Sequence, residues 1–185
     1  DKHITLTATS DSNPSVKAQK TLTMLDSETY ANDTARFEAL IGYVDRVREI
    51  GRDPYHDTPL IADVWDVTAQ APGEWRSGTK AGIAVTSNLA CKGGWFRTLE
   101  AIYNLTGDEQ YKKEITDTYQ YYLDHYIDEE SGLLYWGGHA AVDLKEGKGY
   151  LVDNATYHEL KNNSVYIKPF FDLDPERAEN IIKDI

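Results

Sequence analysis

The chain of 185 residues carries 31 acidic against 19 basic side chains, a net charge of −12, which argues against a nucleic-acid backbone or an anionic membrane surface as its main partner. The length suits one domain with a real core, and the single cysteine, Cys91, excludes an internal disulfide and a cysteine-based metal site. No apolar run reaches the ~18 residues that a membrane-spanning helix needs.

A polyanionic substrate would also be repelled on average, so a site for one needs a local cation or metal. Thirteen tyrosines and four tryptophans supply core packing or the flat, half-polar faces on which sugars stack.

Residues 1–30 open on "DKHITLTATSDSNPSVKAQ", which lacks an apolar signal core and reads as a polar, loosely ordered segment. The folded domain is expected over 31–185. Phe37, Leu40, Ile41, Val44 and Val47 recur at helical spacing and predict a helix over 34–50. Asp33 would cap that helix and Gly51 would stop it. Three prolines and several turn signals break the pattern from 52 to 87, predicting a long structured loop with short extended pieces. Such loops inside a compact domain are commonly functional.

Helical spacing resumes over 88–105 through Phe96, Leu99, Ile102 and Leu105. Within it, Gly93 and Gly94 each cost about 1 kcal/mol relative to alanine, which implies close packing or a later helix start. Gly107 is a stop, Asp108 an N-cap, and Tyr111, Ile115, Tyr119, Tyr122 and Tyr126 trace the stripe of a second helix. So short a link predicts an antiparallel αα-hairpin.

Short strands around a turn are expected over 131–144, followed by a loop through "EGKGYLVDN". A helix interrupted near Asn162-Asn163 is expected over 155–171, closing before Pro169. Asp174-Pro175-Glu176 starts a last helix, with Asp as cap and Pro in the first turn.

Chemistry concentrates in two stretches, "LLYWGGHAAVDL" and "TYHELKNN". His139, His158 and Glu159 are residue types that hold a divalent cation: imidazole with carboxylate suits Mn²⁺ or Zn²⁺, and all-oxygen sites suit Ca²⁺. Their spacing alone favours structural hydrogen bonding over a metal. Gly137-Gly138 could admit a ligand close to the backbone or make a hairpin turn. Tyr135-Trp136 could stack on a sugar or cover a helix end. Lys161 could neutralise a substrate carboxylate or sit in solvent. Arg97, on an otherwise apolar helix, could snorkel or pair with Glu100 or Glu38. No nucleophile elbow and no glycine-rich phosphate loop is present.

The segments "SNLACKGGWFRTLEAIYNLTGDEQY", "GLLYWGGHAAVDL" and "HELKNNSVYIKPFFDLDPERAENII" resemble, in that order, the pectate lyases of family 2 of the polysaccharide lyases. The resemblance covers roughly residues 34–185, and "YWGGH" and "HELKN" are its most specific parts. It implies a mainly α fold, αα-hairpins of an (α/α) toroid, incomplete, with long loops and a few short strands. It also implies a secreted or periplasmic enzyme that cleaves a uronic-acid polysaccharide such as pectate by metal-assisted β-elimination. The metal would be Mn²⁺ or Ca²⁺. By motif His139 and Glu159 match two metal ligands, while the family's further histidine and its catalytic base lie beyond the matched segments, leaving the base unassigned.

Tyr135, Trp136, His158, Lys161 and Arg97 are then the expected substrate contacts. The chain reads as an N-terminal fragment whose missing half comes from further sequence or from an oligomer. It departs from the family in "HELKNNSVYI", which lacks a histidine and a proline, and in "CKGGW". Two alternatives stand beside this reading: a non-catalytic glycan-binding domain using Tyr135, Trp136 and Trp95, and an α/α-toroid glycoside hydrolase acting on uronides.

Overall fold

A computed structural model of the chain describes residues 2–9, 14–24, 27–75, 84–137, 140–151 and 166–183. The chain divides into two compact units, Asp1–Tyr43 and Val44–Ile185.

In the first unit, β1 (Lys2–Thr9) pairs antiparallel with β2 (Lys17–Met24), in a register running from Lys2 opposite Met24 to Thr9 opposite Lys17. Cross-strand polar pairs dress this ladder: the hydroxyls of Thr5 and Thr21 lie 3.3 Å apart, and Gln19 Nε2 donates to Thr7 Oγ1 at 3.1 Å. No strand was expected in this polar stretch. Helix α1 (Ser27–Ile50) begins here, ahead of the expected start at residue 34. Ser27–Asp33 holds no glycine or proline to delay it, so Asp33 lies inside the helix, paired with Arg36 at 2.9 Å, and is not its cap.

The second unit takes over α1 at Val44, which is fully buried. Gly51 ends the helix, donating its N–H to Val47 O at 2.8 Å. A Cβ at 51 would stand 2.7 Å from that same oxygen, so no side chain fits there. The expected loop after it is ordered by side chains. Buried Asp53 accepts from Tyr55 N at 2.9 Å and from Thr58 Oγ1 at 2.9 Å, and β3 (Trp65–Asp66) pairs with β4 (Ala71–Pro72). β5 (Thr86–Ser87) leads into a single 3-10 turn at Leu89–Cys91.

Helices α2 (Gly93–Thr106) and α3 (Glu109–His125) form the expected αα-hairpin. Its link is as read: Gly107 is left-handed, and Asp108 accepts from Gln110 N. The Gly93-Gly94 pair lies at the start of α2, where its helix-interior cost largely lapses.

β6 (Ala140–Asp143) and β7 (Lys148–Leu151) join β5 in an antiparallel sheet of order β5-β6-β7. Most of the helix expected over 155–171 lies outside the described residues; Pro169, expected to follow a helix end, stands in the first turn of α4 (Lys168–Leu173), and α5 (Pro175–Lys183) starts where Asp174-Pro175 predicts. A proline spares a first-turn N–H that has no helical partner, so it opens a helix as readily as it ends one.

The expectation of a mainly α toroid is therefore corrected. The described residues form five α-helices and seven strands in three small sheets, not an array of αα-hairpins. The reason lies in segments such as "AAVD" and "KGYL", too short for a helical repeat to show, which complete a sheet whose inner residues Ala140–Val142 are buried. Between the helices the core is an aromatic relay. Phe96 meets Tyr119 edge-on at 4.9 Å, Tyr119 meets Phe170 at 4.7 Å, and Phe170 meets Trp136 at 6.0 Å. Burial of each such ring contributes on the order of 1.5–3 kcal/mol.

Candidate functional site

Strand β5 ends at Ser87, and the next residue, Asn88, is still extended and buried. Its amide acts as one more rung of the sheet. Nδ2 donates to Gly137 O at 2.7 Å and to Ala140 O at 3.2 Å, while Oδ1 accepts from Gly137 N at 3.1 Å and from Ala90 N at 3.2 Å. One side chain thus satisfies backbone groups on both sides of the Gly138-His139 dipeptide and caps the 3-10 turn. Gly137 has φ +113°, a conformation that residues with a Cβ rarely adopt. The glycine pair therefore has at least one conformational reason to be there.

Asn88 is held in turn. Its N–H donates to Asp63 Oδ1 at 3.0 Å, Thr86 Oγ1 donates to Asp63 Oδ2 at 2.8 Å, and Lys92 forms an ion pair with Asp63 Oδ1. Both partners of that pair are largely buried, where charge-assisted bonds are strong. Below them Tyr122 OH donates to Ser87 O at 2.9 Å, and burial pushes the Tyr122 phenol well above its ordinary pKa.

Tyr135 and Trp136 precede this turn. Trp136 is packed edge-on to Phe170 and is only 7% exposed, so it fills the core and offers no open face to a sugar. Tyr135 is half-buried, with its OH donating to Asp128 Oδ1 at 2.9 Å. Burial first, and that bond second, raise its pKa. Its ring lies over Gly149, where a Cβ would come within 2.5 Å. The glycine in β7 is thus what lets the ring lie flat on the strand.

Arg97 contacts Tyr166, which with Glu100, Tyr103, Lys112, Lys168 and Asp172 among others lines a groove of about 470 Å³ between α2, α3 and α4. Its guanidinium lies 5.5 Å from the centre of the Tyr166 ring, a cation–π contact, and Tyr166 OH donates to Glu100. The expected partner Glu100 is thus reached through an aromatic ring. Lys168 is held by Asp172 and, at 3.7 Å, by Glu100, and its pKa is raised, chiefly by the bond to Asp172.

His139, His158, Glu159 and Lys161 lie outside the described residues. Among the described residues no group of three or more His, Cys, Asp or Glu side chains could hold a metal, and no helix is long and apolar enough to cross a membrane. Asn88, Asp63 and Lys92 were missed by sequence reasoning, which placed Asn88 at the head of a helix and Asp63 in a loop. The one available signal was a polar Asn next to an apolar run, and that pattern is common to every helix cap.

A model of the family described as periplasmic pectate lyase matches residues 58–185. The chain is 30% identical over 151 residues to a pectate disaccharide-lyase of Dickeya dadantii (strain 3937), an alignment that covers 78% of this chain and 27% of that protein. The chain therefore spans little more than a quarter of that relative's length.

Proposed function

This chain belongs to the periplasmic pectate lyase family, and from that premise we propose that it serves the cleavage of a pectate-like uronic-acid polysaccharide by β-elimination. The observation that carries the reading is the family match through 58–185, reinforced by identity to a relative named for that reaction. In the elimination, the C5 proton of a uronate leaves to a base, the C5 electron pair forms the C4–C5 double bond, and the C4–O bond breaks, releasing the glycosidic oxygen. No water adds, so the paired carboxylates of a hydrolase are not required.

The donor set fits a divalent metal: His139 offers imidazole and Glu159 carboxylate, a combination that suits Mn²⁺ better than the all-oxygen preference of Ca²⁺. When bound, such an ion would draw charge from the uronate carboxyl and acidify the C5 proton. Tyr135, Arg97, His158 and Lys161 are the proposed substrate contacts, Trp136 being packed in the core, and the base is unassigned. The aromatic packing on Phe170 and the Asn88 bonds supply a rigid platform, which is what precise placement of a reacting group requires.

The test is the ultraviolet absorbance of the unsaturated product when this chain meets polygalacturonate with Mn²⁺, then with chelator. A rise that chelator abolishes supports the reading. No rise, with the chain shown to be folded, overturns catalysis by these 185 residues.

A further inference from the structure

The groove between α2, α3 and α4 measures about 470 Å³, within the range of about 300–1,000 Å³ typical of small-molecule sites. Two tyrosines line it, and both are held in place. Tyr103 has the Lys112 ammonium 5.3 Å from its ring centre and donates from its OH to Glu109 Oε1 at 3.2 Å. Tyr166 lies under the Arg97 guanidinium and donates from its OH to Glu100.

Lys112 differs from the other lysines around it. Among the described residues of the second unit, Lys92, Lys113, Lys145, Lys148, Lys168 and Lys183 each form an ion pair, and Lys112 forms none. Its helix neighbour three positions back, Glu109, is a natural partner, but that carboxylate accepts from Tyr103 OH instead. An aromatic ring attracts an ammonium without cancelling its charge. Lys112 therefore brings to the groove a cation that no described carboxylate neutralises. In a chain of net charge −12, that is the local condition an anionic ligand needs.

We propose that this groove binds a uronate residue of the polysaccharide, with Lys112 taking its carboxylate. The inference rests on the reading of the chain as one that serves a uronic-acid polymer. The groove's other charges select the ligand class. Glu100 and Asp172 line it too, and both hold Lys168, Glu100 at 3.7 Å. Ionised carboxylates only accept hydrogen bonds, so these two suit sugar hydroxyls and repel a densely charged anion such as sulfate. A uronate carries one carboxylate and several hydroxyls on one ring, and so meets both demands. A neutral sugar would leave Lys112 without a partner.

The experiment titrates the intact chain with trigalacturonate by calorimetry in the presence of chelator, so that no metal-held binding contributes. Methyl ¹³C spectra locate the ligand: Ile115 and Leu173 line this groove, and Val85 lines another. Expected are shifts at Ile115 and Leu173 with Val85 unmoved. Lys112→Met, which keeps a good helix former, should weaken binding about three- to tenfold. Lys112→Arg should stay within about twofold of wild type, because it restores the cation. Lys113→Met makes the same charge change one residue along and should match wild type. The carboxyl-reduced trimer should bind wild type and K112M alike, and inorganic sulfate should not displace the acidic trimer.

Wild type that binds no trimer, binding that moves Val85 but neither Ile115 nor Leu173, or K112M equal to wild type each overturn the inference. So does K113M weakened as much as K112M, which would reduce the effect to net charge. Displacement by sulfate would make the groove a general anion site and end the uronate assignment. The unsaturated product from polygalacturonate is read separately. Product formed while K112M keeps full affinity sinks the groove alone. Trimer affinity that depends on Lys112, with no product, upholds the groove and counts against catalysis.

Discussion

Gly149 and Glu114 show how a single atom decides a position. A Cβ at Gly149 would sit 2.5 Å from several atoms of the Tyr135 ring, and that ring is tied at its far end to Asp128, so it cannot tilt away freely. Gly149→Ala is expected to cost about 1–3 kcal/mol, as overpacking does, and to be visible as a lower midpoint in urea. Glu114 is almost wholly buried on α3. Its Oε2 bonds Arg52 and, at 3.4 Å, Arg48, while its Oε1 is buried without a hydrogen-bond partner. Glu114→Gln keeps the shape and removes the charge that faces two guanidinium groups. It should destabilise the second unit by roughly 1–3 kcal/mol, the range for leaving buried polar groups poorly matched, measured by thermal unfolding. A variant as stable as wild type would mean that Arg48 and Arg52 find equivalent partners in Asp45 and Gln110, which Arg48 already touches.

The αα-hairpin of α2 and α3 is where local sequence and structure agree most closely. Gly107 sits at φ +72° with open space around the position of an added Cβ, so Gly107→Ala costs only the left-handed backbone, about 1 kcal/mol. Asp108→Ala removes the bond to Gln110 N and should cost a similar ~1 kcal/mol. Measured together, the two should be less than additive, because both act on one link.

This hairpin and α5 were legible because stop, cap and stripe signals coincide within a few residues. The sheet was legible only in part: β6 falls within the strands expected over 131–144, whereas β7 lies in the stretch expected as loop. β7 is four residues long and holds a glycine whose purpose, the approach of Tyr135, is fixed by a residue fourteen positions earlier. The same limit hid Asn88. Its identity as a cap is local, but its bonds to Gly137 and Ala140 span 49 and 52 residues, and no pattern in a short window reports them. Trp136 was ambiguous for a related reason: a tryptophan beside glycines suits a sugar face or a core, and only the position of Phe170 in α4 decides it.

Across the second unit the tyrosines act collectively. Burial is the leading cause of the raised pKa at Tyr111, Tyr119, Tyr122, Tyr126, Tyr135 and Tyr166, each starting from an ordinary value of 10.0. Several of these phenols also donate to backbone carbonyls or carboxylates: Tyr122 to Ser87 O, Tyr119 to Tyr166 O, Tyr135 to Asp128. Below pH 10 the folded and unfolded chains both keep these protons, and the packing is fully available. Above it, the unfolded chain releases protons that the folded chain retains, so folding loses free energy as pH climbs through the raised folded pKa values. Alkaline unfolding should therefore be steep and cooperative, beginning just above pH 10, with no pH dependence from these groups near neutral pH. Circular dichroism in the near ultraviolet across pH 8–12 reads the transition, and phenolate absorbance reads the protons. The two should move together, because a buried phenol ionises when its surroundings open. Tyr122→Phe removes one of the titrating groups and should make the alkaline limb shallower, while costing stability at pH 7 through the lost bond to Ser87 O. Phenolate appearing well before the structure is lost would show that these rings ionise in the folded state, and that their burial does not govern the alkaline limit.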